Sequence, residues 1–167
     1  MKNIFLVGMP SSGKSTLGKK LARALNYRFV DLDKMIVRSE KMSINQIFAE
    51  KGEEYFRQIE SALLKEIRAN QWLVVATGGG APCFFDNMDF ITQTGLSVFL
   101  NVPAAELAGR ILKHGQDDRP LLSGVDQLEQ ELAKKYEVRL PHYSRADYMI
   151  TGKTTVKQLV ELLRPLI

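Results

Sequence analysis

The part of this chain best suited to chemistry is residues 8–15, Gly-Met-Pro-Ser-Ser-Gly-Lys-Ser, which satisfy the pattern G-x-x-x-x-G-K-[ST]. Gly8 and Gly13 permit close backbone approaches that a Cβ would obstruct, and unpaired N–H groups at a following helix start can bind phosphate oxygens. Lys14 supplies a cation for the β- and γ-phosphates, and Ser15 a hydroxyl ligand for Mg²⁺. The pattern predicts an ATP site with Mg²⁺ as cofactor, formed by Gly8, Pro10, Ser11, Ser12, Gly13, Lys14, Ser15 and Thr16.

Two carboxylates, Asp31 and Asp33, follow the second apolar run of the chain. In an open α/β sheet the carboxyl ends of the strands border the ligand crevice. Because one residue separates the two carboxylates, strand alternation would aim them to the same side if the strand geometry persisted to Asp33. We expect Asp31 to hold the metal through water, together with Ser15, and Asp33 to orient an acceptor hydroxyl and accept its proton. The alternative for Asp33 is a helix cap.

Three successive glycines, residues 78–80, follow the third apolar run, where many P-loop proteins carry a metal-binding Asp. Three glycines cost much conformational entropy, which favours a close approach of the backbone to a ligand over a simple turn.

Two arginines could bind an acidic acceptor. Arg57 lies on a predicted helix with Glu60 one turn later, close enough for the carboxylate to hold the guanidinium, and Arg139 follows an amphipathic helix and precedes Pro141. A guanidinium matches a carboxylate with two parallel hydrogen bonds. The alternative is that each arginine is a surface charge, since periodicity cannot show that they converge.

The elements that must position these residues alternate between short apolar runs and longer amphipathic stretches, which predicts an α/β fold with parallel strands and helical crossovers. We predict five strands, at residues 3–7, 28–32, 72–77, 96–102 and 147–150. We predict helices at residues 14–25, 44–50 after an N-cap at Ser43, 53–69 after a break at Gly52, 104–113, 125–139 and 155–163. A further helical region begins after Asp33.

Residues 114–124 form a polar segment that contains Gly115, Arg119, Pro120 and Gly124. This composition predicts a mobile lid that closes over the phosphates, with an ordinary helix connection as the alternative.

Composition narrows the classes of partner and compartment. A net charge of +4 and a pI near 9.2 favour anionic ligands, but no basic run of five or more residues occurs, so we expect no nucleic-acid partner. The single Cys83 cannot form an intrachain disulfide, and no apolar stretch is long enough to span a membrane. We predict a single cytoplasmic domain over residues 1–167 with no membrane contact.

The order and spacing of these features resemble the shikimate kinase family over nearly the whole chain. The matching pieces are residues 8–16, 31–33, Phe56-Arg57 with Glu60, 78–80, 119–122, and Arg139 with Pro141 and Tyr143. Two departures are Ser11 and Ser12, where many members have Gly and another small residue, and the acidic residues 116–118 before Arg119.

The resemblance implies a three-layer α/β/α fold whose five-stranded parallel sheet has the order 2-3-1-4-5, with a substrate-binding region at about residues 33–61 and a lid at about 112–124. It implies a monomer that uses ATP to phosphorylate the 3-hydroxyl of shikimate, a step of aromatic amino-acid biosynthesis. Arg110 would lie against the adenine, and Arg119 would meet the transferring phosphoryl group. Shikimate would be held by Asp33, Arg57, Gly79, Gly80 and Arg139.

The residues alone leave two rival interpretations. Another small-molecule kinase, such as a gluconate or nucleoside monophosphate kinase, would share the phosphate loop but need a different acceptor pocket. A non-catalytic ATP-dependent regulator or nucleic-acid-binding module would bind ATP without acceptor-dependent turnover, and the absence of a concentrated basic patch counts against the nucleic-acid version.

Overall fold

A computed structural model of the chain describes residues 1–114 and 125–167. Five parallel strands form one sheet in the order β2-β3-β1-β4-β5, which confirms the predicted strand order. Residue Leu6 of the central strand pairs with Ala76 on one side and with Val98 on the other. The strands are β1 (Asn3–Val7), β2 (Arg28–Asp31), β3 (Leu73–Ala76), β4 (Gly95–Asn101) and β5 (Tyr148–Thr151).

Helices connect the strands and follow the last one. Short 3₁₀ turns at Ala81–Cys83 and Arg164–Leu166 complete the described elements. The helices are α1 (Lys14–Leu25), α2 (Leu32–Glu40), α3 (Ile44–Lys65), α4 (Asn87–Thr94), α5 (Ala104–His114), α6 (Val125–Tyr143) and α7 (Val156–Leu163).

The sheet is buried on both faces, as strand alternation requires when helices cover both sides. On β1, Phe5 and Val7 belong to the core shared with α2 to α6, whereas Ile4 and Leu6 belong to the core shared with α1 and α7. All four side chains are fully buried. This two-sided core confirms the α/β/α layering.

Several predicted boundaries hold. Helix α1 spans Lys14–Leu25 as predicted, and Gly13 precedes it at a φ of 95°, a left-handed conformation that favours glycine. Ser43 caps α3 through a capping box with Gln46, and Gly52 interrupts that helix at a φ of 84°. The predicted break at Gly52 is therefore confirmed, although the helix resumes at once rather than after a loop.

The shared orientation expected for Asp31 and Asp33 required that the strand geometry persist to Asp33, and it does not. Strand β2 ends at Asp31, and α2 begins at Leu32, so that Asp33 lies in the first turn of a helix. The cap role also belongs to Asp31, whose Oδ1 accepts a hydrogen bond from the Lys34 amide at 3.3 Å. A side-chain cap of this kind stabilises the helix start and pulls the chain out of the strand early.

Helix α6 also extends further than predicted. It continues beyond Arg139 through Pro141 to Tyr143. Pro141 removes one donor, but the next turn re-forms as the Ser144 amide donates to the Leu140 carbonyl at 2.8 Å. Arg139 and Tyr143 are consequently one helical turn apart on the same face.

Other differences are small. Helix α4 was not predicted, and β3 begins at Leu73 because Trp72 adopts a φ of 58°, which ends an extended run. The predicted lid lies mostly outside the described residues, and its Arg119 lies outside them entirely. In the described part of the chain, no helix is long and apolar enough to cross a membrane.

Candidate active site

The phosphate loop, residues 8–15, runs from the carboxyl end of β1 into α1. At Gly8, φ is 144° and a Cβ would lie 2.7 Å from the Leu100 carbonyl oxygen, so only glycine fits. Ser11 also adopts a left-handed conformation, at a φ of 63°, which a non-glycine residue accepts only at some cost in energy. The loop therefore has the tight backbone path that directs amide groups toward a phosphate.

Lys14 is buried within this loop, at 7% exposure. Its Nζ donates to the carbonyl oxygens of Gly8 at 2.8 Å and Met9 at 2.7 Å. Burial lowers the pKa of Lys14 to about 8, an effect that the nearby carboxylates of Asp33 and Asp31 oppose and that Arg139 reinforces. The ammonium group thus lies in the phosphate loop with little solvent around it, where its charge acts strongly on a bound anion.

Ser15 and Asp31 lie together at the mouth of the loop. The Ser15 hydroxyl donates to Asp31 Oδ2 at 2.8 Å. A hydroxyl beside a carboxylate is the hard oxygen-donor set that Mg²⁺ prefers. Among the described residues no cluster of three or more His, Cys, Asp or Glu side chains could hold a metal by itself. The pair thus suits a cation that keeps several waters and takes further ligands from substrate phosphates.

Asp33 faces the phosphate loop from the first turn of α2. Its side chain remains accessible to solvent in the cleft, yet partial burial raises its pKa, and the neighbouring Asp31 charge raises it further. Lys14 and Arg57 act in the opposite direction. A carboxylate with a raised pKa is a better proton acceptor, which suits the predicted role toward a hydroxyl.

The glycine loop, residues 78–80, brings the two sides of the site together. A Cβ on Gly78 would lie 3.0 Å from Asp33 Oδ1 and 2.9 Å from Glu60 Oε2, and a Cβ on Gly80 would lie 2.5 Å from Arg57 Nη1. Each would displace an ionic side chain.

Gly79, between them, is as crowded. A Cβ there would lie 2.7 Å from Pro10 Cδ and 3.0 Å from Arg139 Nη1. Side chains of the site thus lie so close to residues 78–80 that a Cβ at any of the three would collide with them. The structure therefore shows a close approach of this backbone to protein side chains. Approach to a ligand remains a prediction.

Arg57 is 9% exposed and held on several sides. Its Nη1 donates to Glu60 Oε1 at 2.9 Å, and its Nε and Nη2 each lie 3.4 Å from Glu53 Oε1. The Phe84 ring lies against its guanidinium, 4.2 Å from Cζ to the ring centroid. Glu60 is 1% exposed, and burial raises its pKa although Arg57 lowers it. Arg57 is not a surface charge.

Arg139 reaches the same place from α6. Its Nη1 is buried without a hydrogen-bond partner among the described residues. A buried guanidinium nitrogen without an acceptor is costly unless a ligand supplies one. Arg139 and Arg57 both influence the pKa of Glu60 and of Cys83, which places them in one electrostatic neighbourhood. The structure thus brings Asp33, Arg57 and Arg139 together around the glycine loop, beside the phosphate loop.

A cavity of about 560 Å³ lies beside the phosphate loop. Arg110 borders it, and its Nη1 donates to the Ser11 carbonyl at 3.1 Å while Nη2 pairs with Glu106 at 2.7 Å. The cavity is lined by Ser12, Gly13, Thr16, Leu17, Lys20, Leu100, Val102, Arg110 and residues 152–156. Its position suits the base and sugar of a nucleotide whose phosphates occupy the loop.

Sequence reasoning missed several contributors to the site. Residues 152–155 line the cavity beside Arg110, and the signal was available, because they follow β5 at the carboxyl edge of a parallel sheet. Phe84 against Arg57 has no local signal, and Tyr143 belongs to the family pattern, but nothing in the sequence assigned it a role beneath Gly79. Arg119, by contrast, was predicted in the site but lies outside the described residues.

Comparison with known proteins identifies a family for this arrangement. A family model described as shikimate kinase matches residues 10–164. A shikimate kinase of Parabacteroides distasonis is 44% identical over 87% of this chain and 85% of its own length. One of Bacteroides thetaiotaomicron is 40% identical over 98% of this chain and 99% of its own length.

Solved structures agree. The crystal structure of a shikimate kinase from Bacteroides thetaiotaomicron matches with a TM-score of 0.87 at 38% identity, covering 97% of this chain and 98% of that one. A shikimate kinase from Acinetobacter baumannii in complex with shikimate matches with a TM-score of 0.85 at 35% identity, covering 99% and 92%.

Proposed function

This chain belongs to the shikimate kinase family, and from that premise we propose that it transfers the γ-phosphoryl group of ATP to the 3-hydroxyl of shikimate, giving shikimate 3-phosphate and ADP. One observation supports the choice of acceptor above all others. Two guanidinium groups, Arg57 and Arg139, and one carboxylate, Asp33, surround a glycine loop that lies against the phosphate loop. A small acid that carries a hydroxyl group matches that set of charges.

We assign the following roles on the acceptor side. Arg57, Arg139 and the amides of Gly79 and Gly80 bind the acceptor, with the two arginines on its carboxylate. Asp33 orients the hydroxyl and takes its proton, in keeping with its raised pKa. Arg139 Nη1, which is buried and has no hydrogen-bond partner in the described part of the chain, gains an acceptor when the substrate carboxylate binds.

On the donor side, the loop amides and Lys14 hold the phosphates, and Arg110 borders the base. Membership in a family of ATP-using kinases implies a divalent metal, which we propose to be Mg²⁺, held by Ser15 and, through water, by Asp31. Such a cation neutralises charge on the β- and γ-phosphates when bound. We assign to Arg119 the stabilisation of the transferring phosphoryl group.

Phosphoryl transfer mainly needs alignment and charge stabilisation, because its transition state spreads negative charge over the γ-phosphoryl oxygens. Lys14 supplies part of that stabilisation from a site with little water. The acceptor pocket supplies alignment. We further propose that residues 1–167 form one domain, with a substrate region near 33–61 and a lid near 112–124, acting as a cytoplasmic monomer.

An ADP-release assay with shikimate, gluconate and nucleoside monophosphates tests the substrate. Of these acceptors, we expect only shikimate to give turnover, and phosphorus NMR of the product identifies the hydroxyl that carries phosphate. Turnover with gluconate or a nucleotide in its place would overturn the proposal, as would ATP binding without any acceptor-dependent ADP release. Size-exclusion chromatography with light scattering tests the monomer.

A further inference from the structure

Tyr143 is a buried side chain beside the glycine loop to which no role has yet been assigned. It is fully buried, and its hydroxyl donates a hydrogen bond to the Gly79 carbonyl. Arg139, one turn earlier on α6, lies close enough to the same hydroxyl to oppose the rise in its pKa that burial causes. The Met9 sulfur lies 3.9 Å from it. One phenol oxygen therefore contacts the glycine loop and the phosphate loop and lies near an acceptor-binding arginine.

The ring of Tyr143 is held as firmly as its hydroxyl. It packs against Phe99 of β4, with ring centroids 5.0 Å apart and an interplanar angle of 36°. Burial raises the pKa of Tyr143, so the hydroxyl keeps its proton at neutral pH and remains a donor. A rigid ring that carries a fixed donor suits the task of holding a backbone carbonyl in place.

Gly79 lies at the centre of the glycine loop. It has no side chain, and the space where one would be is filled by Pro10 and Arg139. Its carbonyl accepts a hydrogen bond from the Tyr143 hydroxyl. Its neighbours Gly78 and Gly80 lie against Asp33 and Arg57, respectively. A shift of Gly79 would thus change the position of the acceptor relative to the phosphate loop.

We propose that Tyr143 is a positioning residue for phosphoryl transfer. By bonding the Gly79 carbonyl while its ring rests on β4, it fixes the glycine loop against the phosphate loop and sets the alignment of acceptor hydroxyl and γ-phosphoryl group. The expected kinetic effect rests on the proposed function, whereas the contact between Tyr143 and the glycine loop is independent of it. Misalignment by a fraction of an ångström is costly in such reactions.

The test is Tyr143→Phe, which keeps the ring and removes one oxygen. We expect the single-turnover rate at saturating ATP and shikimate to fall at least about tenfold, with KM for ATP within about twofold of wild type. The matched control is Tyr136→Phe on the same helix, whose hydroxyl donates instead to Asn101 Oδ1 at 3.1 Å. We expect its single-turnover rate to stay within about twofold of wild type. Equal losses in both variants would mean general loosening of α6 and would overturn the proposal.

Hydrogen exchange supplies a second readout that needs no turnover. In Tyr143→Phe the amides of residues 79–81 should exchange faster than in Tyr136→Phe, while those of β1 stay protected. Unchanged exchange in the glycine loop would overturn the positioning role. If wild type failed to phosphorylate shikimate, the proposed substrate would fall, and exchange would still decide the role of Tyr143. Should Tyr143→Phe be unstable at 25 °C, the same comparison is made at 10 °C with saturating ATP, which stabilises the folded state.

Discussion

The phosphate loop and the acceptor pocket lie side by side at the carboxyl edge of the sheet, yet they are built in opposite ways. The loop is one stretch, residues 8–15, whose backbone path is set by glycines and a helix start, and we propose its amides as the main phosphate ligands. The acceptor pocket combines Asp33 of α2, Arg57 of α3, the glycine loop and Arg139 of α6.

This difference sets how each region should respond to change. In the phosphate loop, the proposed phosphate binding depends on the backbone path, and Lys14 supplies the positive charge. In the acceptor pocket, charged side chains from distant parts of the chain hold one another, so the loss of one is felt by its neighbours. The following predictions test that contrast, from the largest expected effect to the smallest.

The first prediction concerns the one buried cation of the phosphate loop. Lys14→Met should lower turnover at least about a hundredfold, because the ammonium stabilises charge that develops in the transition state. Steady-state kinetics and thermal unfolding check this, with Lys2→Met as the exposed control. Turnover near that of wild type would remove Lys14 from the mechanism and weaken the contrast between the two regions.

The second prediction targets the acceptor pocket through the backbone. Gly80→Ala places a Cβ where the Arg57 guanidinium lies, 2.5 Å from Nη1. The arginine must move away from Glu60, so shikimate affinity should fall at least about tenfold, the loss of one charged hydrogen bond of roughly 1.5–3 kcal/mol, while ATP affinity holds. Calorimetric titration with each ligand measures both. Gly109→Ala is the control, since no heavy atom lies within 4 Å of its Cβ position. Equal loss of ATP binding would mean that the two regions are not separable.

The third prediction compares the two carboxylates that hold Arg57. Glu60 is buried and bonds Arg57 Nη1, whereas the Glu53 side chain is 59% exposed. Glu60→Gln should raise KM for shikimate about tenfold, while Glu53→Gln should change it by less than about threefold, because exposed ion pairs contribute about 0–1 kcal/mol. Initial rates over a range of shikimate concentrations check both. A larger effect from Glu53 would mean that the exposed edge of Arg57 controls acceptor binding.

The fourth prediction is a pH dependence confined to the donor side. Burial lowers the pKa of Lys14 to about 8, so the free enzyme should lose this charge as pH rises. We expect kcat/KM for ATP to fall about threefold between pH 7.5 and 8.5, the change in the protonated fraction of one such group. A constant value to pH 9.5 would contradict this assignment.

The contribution of Lys14 to the free energy of unfolding should increase as pH rises, whereas kcat/KM for ATP should fall. The folded pKa of Lys14, about 8, lies below the ordinary lysine value of 10.5. Between these values the unfolded chain holds a proton that the folded chain has released, so Lys14 makes the fold more stable as pH rises through that window. Thermal unfolding at pH 7.5 and 9 separates loss of activity from loss of structure.

Most of the fold follows from local patterns in the sequence. Helix α1 has the predicted bounds, and the five strands lie within about two residues of their predicted positions. The failures have local causes of their own. Asp31 caps α2 and ends β2 early, and α6 continues through Pro141 because the next turn re-forms its hydrogen bond.

The phosphate loop could be predicted because eight consecutive residues form it. The acceptor side could be predicted only as a set of candidate residues. Nothing in the spacing of Arg57 and Arg139 along the chain says that they meet, and the three glycines gave no sign of which side chains press against them.

The family resemblance predicted the strand order, and a contiguous motif predicted the phosphate loop, because the path of that loop depends on its own residues. Only the packing of the whole chain places Asp33 on a helix that faces the pocket and Tyr143 beneath Gly79. It also leaves Arg139 Nη1 without a hydrogen-bond partner among the described residues. Hydrogen bonds within a turn depend on residues that are neighbours in the sequence, whereas contacts between distant segments depend on how the whole core packs.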